Sequence, residues 1–356
     1  MNNNLQAWGW NDHFAAHFAP FAEQDVCVGR IVLEHKRLYR VMTEHGELLG
    51  EVTGKFRFTA SGREDYPAVG DWVVITPRVE EKRASIHAVL PRTSKFSRRA
   101  AGETVEEQIV AANVDTVFLV NALNNDFNLR RIERYLILAW ESGANPVIVL
   151  SKADLCEDVE RKVAEVESVA IGVPIHAISA ERGDGLDSLA PYLREGQTVA
   201  LLGSSGVGKS TLINRLAGMD LQRVSGVRSK DDRGRHTTTH RELFRLPSGG
   251  LMIDTPGMRE LQLWEADDGF RDAFDDIETL AEACRFRDCS HEREPGCAVQ
   301  AALADGSLQR ARFDSYRKLQ RELAHLARKD DARLQAAEKN KWKKITMAMR
   351  HAKPKR

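Results

Sequence analysis

The stretch Gly203-Ser204-Ser205-Gly206-Val207-Gly208-Lys209-Ser210 decides the fold of this chain. Its Gly-x-x-x-x-Gly-Lys-Ser spacing is typical of a P-loop, in which glycines turn the backbone so that successive N–H groups point at nucleotide phosphates. In such a loop Lys209 neutralises phosphate charge, and Ser210 offers its hydroxyl to Mg²⁺. The flanks agree, because 198–202 is an apolar run typical of a buried strand and 210–217 predicts a helix. The phosphates would therefore lie at a helix N-terminus.

Length and charge narrow the class of protein. A chain of 356 residues exceeds the usual size of one hydrophobic core, so we expect two or three domains. The formal net charge is zero, yet residues 332–356 carry nine lysines and arginines against one glutamate. Such a tail indicates an anionic partner, with nucleic acid as the first candidate and a solvated helix face as the alternative.

The N-terminus resembles no targeting signal. Residues 1–8 contain no basic region followed by an apolar core, and no apolar run in the chain approaches the roughly 18 residues of a membrane span. We therefore expect a cytoplasmic protein without a membrane partner. No feature of the sequence demands more than a monomer.

Residues 25–92 alternate in the manner of short strands separated by glycines. Five such strands predict a small antiparallel barrel of the oligonucleotide-binding (OB) type, preceded by an N-terminal extension at 1–24. Basic and aromatic residues are interleaved at 55–58 and between Arg92 and Arg99. This mixture is compatible with phosphate binding and base stacking, and equally with edge-strand charges and core rings.

A linker is predicted at 93–113, and a second domain at 114–265. Buried strands alternate there with amphipathic helices, which predicts a doubly wound parallel sheet covered by helices on both faces and makes the whole chain multidomain α/β with an all-β N-terminal part. The predicted strands are 115–120, 146–150, 174–178, 198–202, 242–246 and 251–253, and the predicted helices are 129–140, 158–170 and 210–217.

A base-selecting motif follows one of these strands. Ligands of such sheets bind at the carboxyl ends of the strands, and Ser151-Lys152-Ala153-Asp154 and Ser179-Ala180 stand at two of those ends. In GTP-binding domains a carboxylate two residues beyond a lysine accepts hydrogen bonds from guanine N1 and the exocyclic amine, and adenine lacks this pair of donors. Asp154 is therefore predicted to select guanine, although the four-residue pattern alone also fits an ordinary surface turn.

Two further segments have the character of nucleotide-sensing switches. Asp254 ends a strand beside the P-loop and is predicted to hold Mg²⁺, while the N–H of Gly257 is predicted to meet the γ-phosphate. One residue of the Thr237-Thr238-Thr239 triplet is predicted to supply another Mg²⁺ ligand, the alternative being that all three are polar loop residues. The residues predicted to contact GTP are Ser151, Lys152, Ala153, Asp154, Ser179, Ala180, Gly203, Ser204, Ser205, Gly206, Val207, Gly208, Lys209, Ser210, Thr211 and Gly257.

The order of these motifs is permuted. Ordinary GTPases place the P-loop first and the base selector last, whereas here 151–154 precedes 203–210. With the barrel and the 234–239 segment, this order resembles the ribosome small-subunit-dependent GTPase A family (RsgA, also called YjeQ) over essentially the whole chain. The resemblance implies hydrolysis of GTP to GDP and phosphate, binding to the small ribosomal subunit and its rRNA, stimulation by that subunit, and a role late in its maturation.

A metal centre is predicted near the C-terminus. Three of the five cysteines crowd beside a histidine, which suggests metal ligation in a reducing compartment, with coincidental clustering of thiols as the alternative. The resemblance includes a structural zinc site and a helical domain at 266–356 with a basic C-terminal helix. Its ligands in this chain would be Cys284, Cys289, His291 and Cys297.

The sequence departs from the GTPase pattern at two positions. Ser151 stands where the family commonly has asparagine, so a shorter side chain must support the base. Met258 stands where many GTPases have a water-orienting glutamine, and a thioether cannot orient water. The resemblance implies that His236 takes this role and joins Lys209 as a catalytic residue; the alternative for His236 is a loop histidine facing phosphate or RNA.

Two other functions remain open from the sequence. One is a non-enzymatic RNA-binding module in which the nucleotide is only a structural ligand, and the other is a P-loop ATPase. Loss of turnover on Lys209→Ala would argue against the first. Equal competition by ATP and GTP would favour the second.

Overall fold

The computed structural model describes residues 3–35, 37–99, 107–218, 241–254 and 267–324. The strands are β1 (Cys27–His35), β2 (Leu38–Thr43), β3 (Gly46–Val52), β4 (Trp72–Arg78), β5 (Arg83–Val89), β6 (Lys95–Arg99), β7 (Glu107–Ala112), β8 (Thr116–Ala122), β9 (Asn145–Ser151), β10 (Ile175–Ala177), β11 (Thr198–Leu202), β12 (Glu242–Arg245) and β13 (Leu251–Asp254). The α-helices are α1 (Asn3–Gln6), α2 (Asp12–Phe18), α3 (Gly54–Thr59), α4 (Leu129–Ser142), α5 (Val159–Glu167), α6 (Lys209–Ala217), α7 (Asp267–Ala273), α8 (Asp275–Glu282), α9 (Ala298–Asp305) and α10 (310–324). Short 3₁₀ helices lie at Ala19–Phe21, Arg63–Asp65, Ala153–Leu155 and Leu186–Tyr192.

Strands β1 to β5 close into a barrel, which confirms the predicted N-terminal fold. The ring runs β1–β2–β3–β5–β4 and returns to β1. The pair β3–β5 is parallel, so the expectation of a wholly antiparallel barrel is wrong. A closed ring of five strands cannot alternate direction throughout, because five is an odd number. Ile31, Val41, Val73 and Ile86 are completely buried inside it.

The N-terminal extension packs on the barrel. Trp10 and Phe14 lie against the buried ring of Trp72, with ring centroids 4.8 Å and 5.9 Å away. Aromatic rings bury much apolar area at little entropic cost, so these contacts hold α2 to the barrel surface.

The second domain contains the predicted doubly wound sheet. Its strands lie in the order β10-β9-β8-β11-β13-β12, and every neighbouring pair is parallel except β12–β13. Alternate residues of β8 enter two different cores: Val117 packs with Ile132 of α4 on one face, and Phe118 packs with Leu212 of α6 on the other. Helices therefore cover both faces of the sheet, as expected from its nearly unbroken apolar strands.

The connection between barrel and sheet contains a pair of strands. Strands β6 and β7, inside the segment predicted as linker, form an antiparallel pair. Leu33 of β1 also pairs with Glu242 of β12, so the barrel and the sheet share backbone hydrogen bonding. The helix predicted at 158–170 is shorter, since α5 ends at Glu167.

Helices α7 to α10 form the C-terminal part of the described chain. Helix α7 approaches α4 so closely at Gly269 that a Cβ atom there would lie 2.5 Å from the carbonyl oxygen of Ile137. Arg312 of α10 reaches into the same junction and contacts Glu133 of α4. None of the helices in the described ranges is long and apolar enough to cross a bilayer.

Candidate nucleotide site and metal centre

The P-loop joins a fully buried strand to helix α6, as the sequence predicts. All five residues of β11 are buried. A Cβ atom at Gly203 would lie 2.4 Å from the carbonyl oxygen of Val120, so the loop needs glycine there. Gly206 and Gly208 have φ values of 80° and 94°, which L-residues with side chains rarely adopt. Three glycines are thus required by geometry, and Gly208 is the N-cap residue of α6, which begins at Lys209.

The lysine of the P-loop lies over the turn. Its Nζ donates hydrogen bonds to the carbonyl oxygens of Gly203 and Ser204, each at 2.6 Å. Ser210 and Thr211 follow in the first turn of α6 and are partly exposed. The geometry brings one positive charge, one hydroxyl and the N-terminus of a helix to the same small surface, which is the combination that binds phosphate.

The first half of the base-selecting motif is bonded to the P-loop. Ser151 is buried, and its Oγ donates to the carbonyl oxygen of Val207 at 2.6 Å. Lys152 has a left-handed backbone with φ 59°, and its Nζ donates to the carbonyl oxygen of Gly206 at 2.8 Å. The short side chain of Ser151 thus reaches the P-loop directly and supports it through this hydrogen bond.

The second half of the motif meets the loop after β10. Ala153 N–H donates to the carbonyl oxygen of Ile178 at 3.0 Å. A hydrogen bond from the Ser179 hydroxyl, together with the charges of Arg182 and Lys152, holds the pKa of Asp154 below its ordinary value. Asp154 is therefore ionised at neutral pH and available as a double acceptor. Ala180, which follows Ser179, is buried.

Asp254 ends β13 at the same edge of the sheet. Strand β13 is the parallel neighbour of β11, with Ala200 opposite Ile253, so Asp254 lies one residue further toward the P-loop end. The remaining predicted residues lie outside the described residues, and their roles stay predictions. They are His236, Thr237, Thr238, Thr239, Gly257 and Met258.

The sequence alone missed two charged residues beside the P-loop. Arg131 of α4 donates to the Oγ of Ser204 at 2.9 Å, and Asp126 bonds to both Arg131 and Ser204. The available signal was their position: both follow β8, whose carboxyl end lies at the ligand edge of the sheet.

Four ligands come together in the predicted metal centre. The ligand atoms of Cys284, Cys289, His291 and Cys297 all lie within 4.8 Å of one another. The Sγ atoms of Cys284 and Cys297 are 3.8 Å apart, and each lies 3.5 Å from His291 Nδ1. A tetrahedral ion with bonds of about 2.3 Å to sulfur and about 2.0 Å to nitrogen requires separations of about 3.8 Å and about 3.5 Å. The cluster therefore fits a four-coordinate metal ion.

The barrel's basic and aromatic residues divide between surface and interior. Arg92 forms an ion pair with the buried carboxylate of Asp71 at 2.8 Å, and Phe96 is buried, so neither faces a ligand. For these two, the alternative of structural charge and core ring is the correct one. Phe58 on α3 is 91% exposed, so the alternative of a core ring does not apply to it.

The strand order and the position of the P-loop define a circularly permuted GTPase. The P-loop follows β11, which lies in the middle of the sheet and yet comes after three other strands of that sheet in the chain. Residues 89–264 match the family model described as RsgA GTPase, and residues 198–337 match one described as 50S ribosome-binding GTPase.

Relatives and solved structures give the family. The chain is 50% identical over 355 residues to the small ribosomal subunit biogenesis GTPase RsgA of Opitutus terrae, covering 97% of both chains, and 44% identical over 96% of both chains to the protein of that name from Syntrophotalea carbinolica. The structure of YjeQ from Thermotoga maritima superposes with a TM-score of 0.65 at 31% identity, covering 84% of this chain and 99% of that one. YloQ, described as a circularly permuted GTPase, gives a TM-score of 0.63 at 26% identity, covering 84% and 96%. The chain belongs to the RsgA GTPase family and is a GTP hydrolase.

Proposed function

We propose that this GTPase binds the small ribosomal subunit, hydrolyses GTP faster when bound to it, and acts late in its maturation. The relatives at 44–50% identity carry the name small ribosomal subunit biogenesis GTPase, which supports the choice of partner. The observation that carries the nucleotide assignment is the continuous set of hydrogen bonds from the base-selecting motif to the P-loop, made by Ser151 and Lys152 beside an ionised Asp154.

Each part of the site has a role in this proposal. Asp154 accepts from guanine N1 and the exocyclic amine, and the stem of Lys152 packs on the base. Lys209 and the N–H groups of the P-loop neutralise the phosphates. Ser210, Asp254 and one threonine of 237–239 would hold Mg²⁺. Mg²⁺ held there would offset the negative charge that develops on the phosphates during transfer.

The water-activating group is the remaining element of the mechanism. Met258 has no atom that can accept a proton or orient water. We assign this role to His236, within the switch segment that ends in the threonine triplet. Positioning and electrostatics supply most of the catalysis in this class, so a subunit that supplies a missing catalytic element would raise the rate.

The metal centre is proposed to hold one structural zinc ion. Three thiolates and one imidazole are the donor set that zinc prefers in closed tetrahedral sites, and all four positions are filled by protein. The proposed zinc domain covers 266–356 and includes the basic tail at 332–356. That tail and the exposed α3 helix of the OB-type barrel, residues 25–92, are the proposed contacts with ribosomal RNA, in a protein that acts as a monomer in the cytoplasm.

Steady-state hydrolysis of GTP and of ATP, each with and without purified small subunits, tests the proposal. We expect slow turnover of GTP alone, marked stimulation by small subunits, and little turnover of ATP. Lys209→Ala should abolish turnover, and Asp154→Asn should shift preference toward xanthosine triphosphate, because the amide presents a donor to the base. If small subunits left the GTPase rate unchanged, the proposed stimulation by the subunit would be wrong. If ATP were hydrolysed as fast as GTP, the proposed selection of guanine would be wrong.

Binding to the subunit is tested separately by its salt dependence. Neutralising RNA phosphates releases counterions, so affinity should fall steeply as salt rises. Truncation after residue 331 should weaken binding and flatten the salt dependence. An affinity that is insensitive to both changes would mean that the tail is a solvated helix face.

A further inference from the structure

A closed triangle of hydrogen bonds lies beside the P-loop, on side chains that the roles above do not use. Arg131 Nη1 donates to Ser204 Oγ at 2.9 Å, and Ser204 Oγ donates to Asp126 Oδ2 at 3.2 Å. Arg131 also donates twice to the carboxylate of Asp126, at 2.6 Å and 3.0 Å. The Ser204 hydroxyl thus accepts one bond and donates another, which fixes its orientation.

The three residues come from separate parts of the chain. Asp126 lies in the loop after β8, Arg131 in the first turn of α4, and Ser204 is the second residue of the P-loop. The hydrogen bonds from Arg131 lead the causes that hold the pKa of Asp126 below its ordinary value, so the carboxylate is ionised and the guanidinium is neutralised by it. A bidentate pair of this kind adds geometric specificity as well as energy.

Helix α4 is itself fixed two and three residues further on, at Glu133 and Arg134. Glu133, which is 2% exposed, accepts a hydrogen bond from Arg312 Nη1 at 3.0 Å and another from Ser315. Arg134 donates to Glu322 at 2.6 Å. Contacts with α10 therefore fix the backbone of α4, and this backbone positions Arg131 against the P-loop.

We propose that Arg131 is a positioning residue for nucleotide binding, which together with Asp126 fixes the P-loop at Ser204 in the geometry that receives the phosphates. The inference rests on the proposed role of the P-loop as the phosphate site. A loop that is already ordered binds its ligand without the entropic cost of ordering. Because the effect is exerted on the loop and not on one phosphate, it applies equally to GDP and GTP.

Equilibrium binding of fluorescent GDP and of a non-hydrolysable GTP analogue tests the proposal. Arg131→Gln should raise both dissociation constants by the same factor, about five- to ten-fold, the loss expected for a charge-assisted hydrogen bond that orders a loop. KM for GTP should rise with kcat at saturation unchanged. Ser204→Ala should give the same loss, and the double variant should be no weaker than either single one, because the two changes remove one interaction.

Arg130→Gln is the matched control. Arg130 lies in the same helical turn, is exposed, and should bind both nucleotides as the unchanged protein does. Equal binding by the Arg131→Gln protein would overturn the inference and leave the GTP site intact. A loss confined to the GTP analogue would also overturn it, since the guanidinium would then act on the γ-phosphate. Failure of the unchanged protein to bind either nucleotide would instead overturn the proposed site, and this inference with it.

Discussion

Replacing Arg312 by alanine is expected to weaken the junction between the GTPase sheet and the C-terminal helices. The Arg312 side chain is 5% exposed, donates to Glu133 at 3.0 Å and to Asp276 at 2.9 Å, and lies 4.3 Å from the centre of the Phe274 ring. Removing one partner of a buried ion pair costs about 3–5 kcal/mol, because the other charge stays buried without compensation. Here that charge is the carboxylate of Glu133, which among the described residues would keep its bond from Ser315 as its one remaining hydrogen bond.

The loss should depend on pH in a defined direction. Burial raises the pKa of Glu133 above its ordinary value of 4.5, and the charge of Arg312 opposes that rise. In the Arg312→Ala protein the pKa of Glu133 should therefore rise further. A carboxyl group whose pKa is raised by folding does not lower the free energy of unfolding at a pH below its pKa in the unfolded chain. As the pH rises through its pKa in the folded protein, the loss of stability grows. The deficit of the variant should be largest near pH 8 and shrink toward pH 5.

Thermal unfolding followed by tryptophan fluorescence measures the effect. For a unit of 150–250 residues, a loss of this size lowers the midpoint by roughly 10 °C. Arg310→Ala is the matched control: Arg310 lies two residues away on α10, its side chain is 70% exposed, and its pair with Asp314 is worth at most about 1 kcal/mol. Equal shifts for the two variants, or a deficit that does not change with pH, would refute the reasoning from the buried carboxylate.

Three further predictions follow from contacts in the site. Gly203→Ala should weaken GTP binding by at least ten-fold in equilibrium titration, because its Cβ would lie 2.4 Å from a carbonyl oxygen of β8; Gly54→Ala, which meets no atom within 4 Å, should bind normally. Ser151→Ala should raise the dissociation constants of GDP and GTP together by about five-fold, the value of one buried hydrogen bond to the P-loop; unchanged affinity would show that this bond does not order the loop. Cys297→Ser should lower bound zinc, measured by atomic absorption, below one ion per chain and expose the C-terminal helices to proteolysis, whereas Cys156→Ser should retain the metal.

The P-loop could be predicted from the sequence because its requirements are local. The positive φ at Gly206 and the close backbone contact at Gly203 both require a residue without a side chain. The residues needed for phosphate binding therefore lie close together in the sequence, where a motif can show them. The strands 198–202 and 251–253 were equally accessible, since a fully buried parallel strand needs an unbroken apolar run. In the metal centre, too, close spacing of the ligands in the chain made the prediction possible.

The charged residues of the interior could not be predicted in this way. The interleaving of basic and aromatic residues makes Arg92 a candidate phosphate contact, yet its side chain is bound to Asp71, 21 residues earlier in the chain. Arg30 is buried and donates hydrogen bonds to Asn113 and Thr198. Asn113 is the last residue of the predicted linker, and Thr198 is the first residue of β11 in the GTPase sheet. No periodicity marks such partners, because their proximity exists only after the barrel and the sheet have come together.

The permuted order gives the segment 255–266 fixed ends. Its N-terminal end continues β13, which is hydrogen-bonded to β11 and β12 within the sheet. Its C-terminal end leads into α7, which lies against α4 so closely that only glycine fits at Gly269. In our proposal this segment meets the γ-phosphate. Along the chain, α7 and the helices after it connect this segment to the basic tail that we assign to ribosomal RNA.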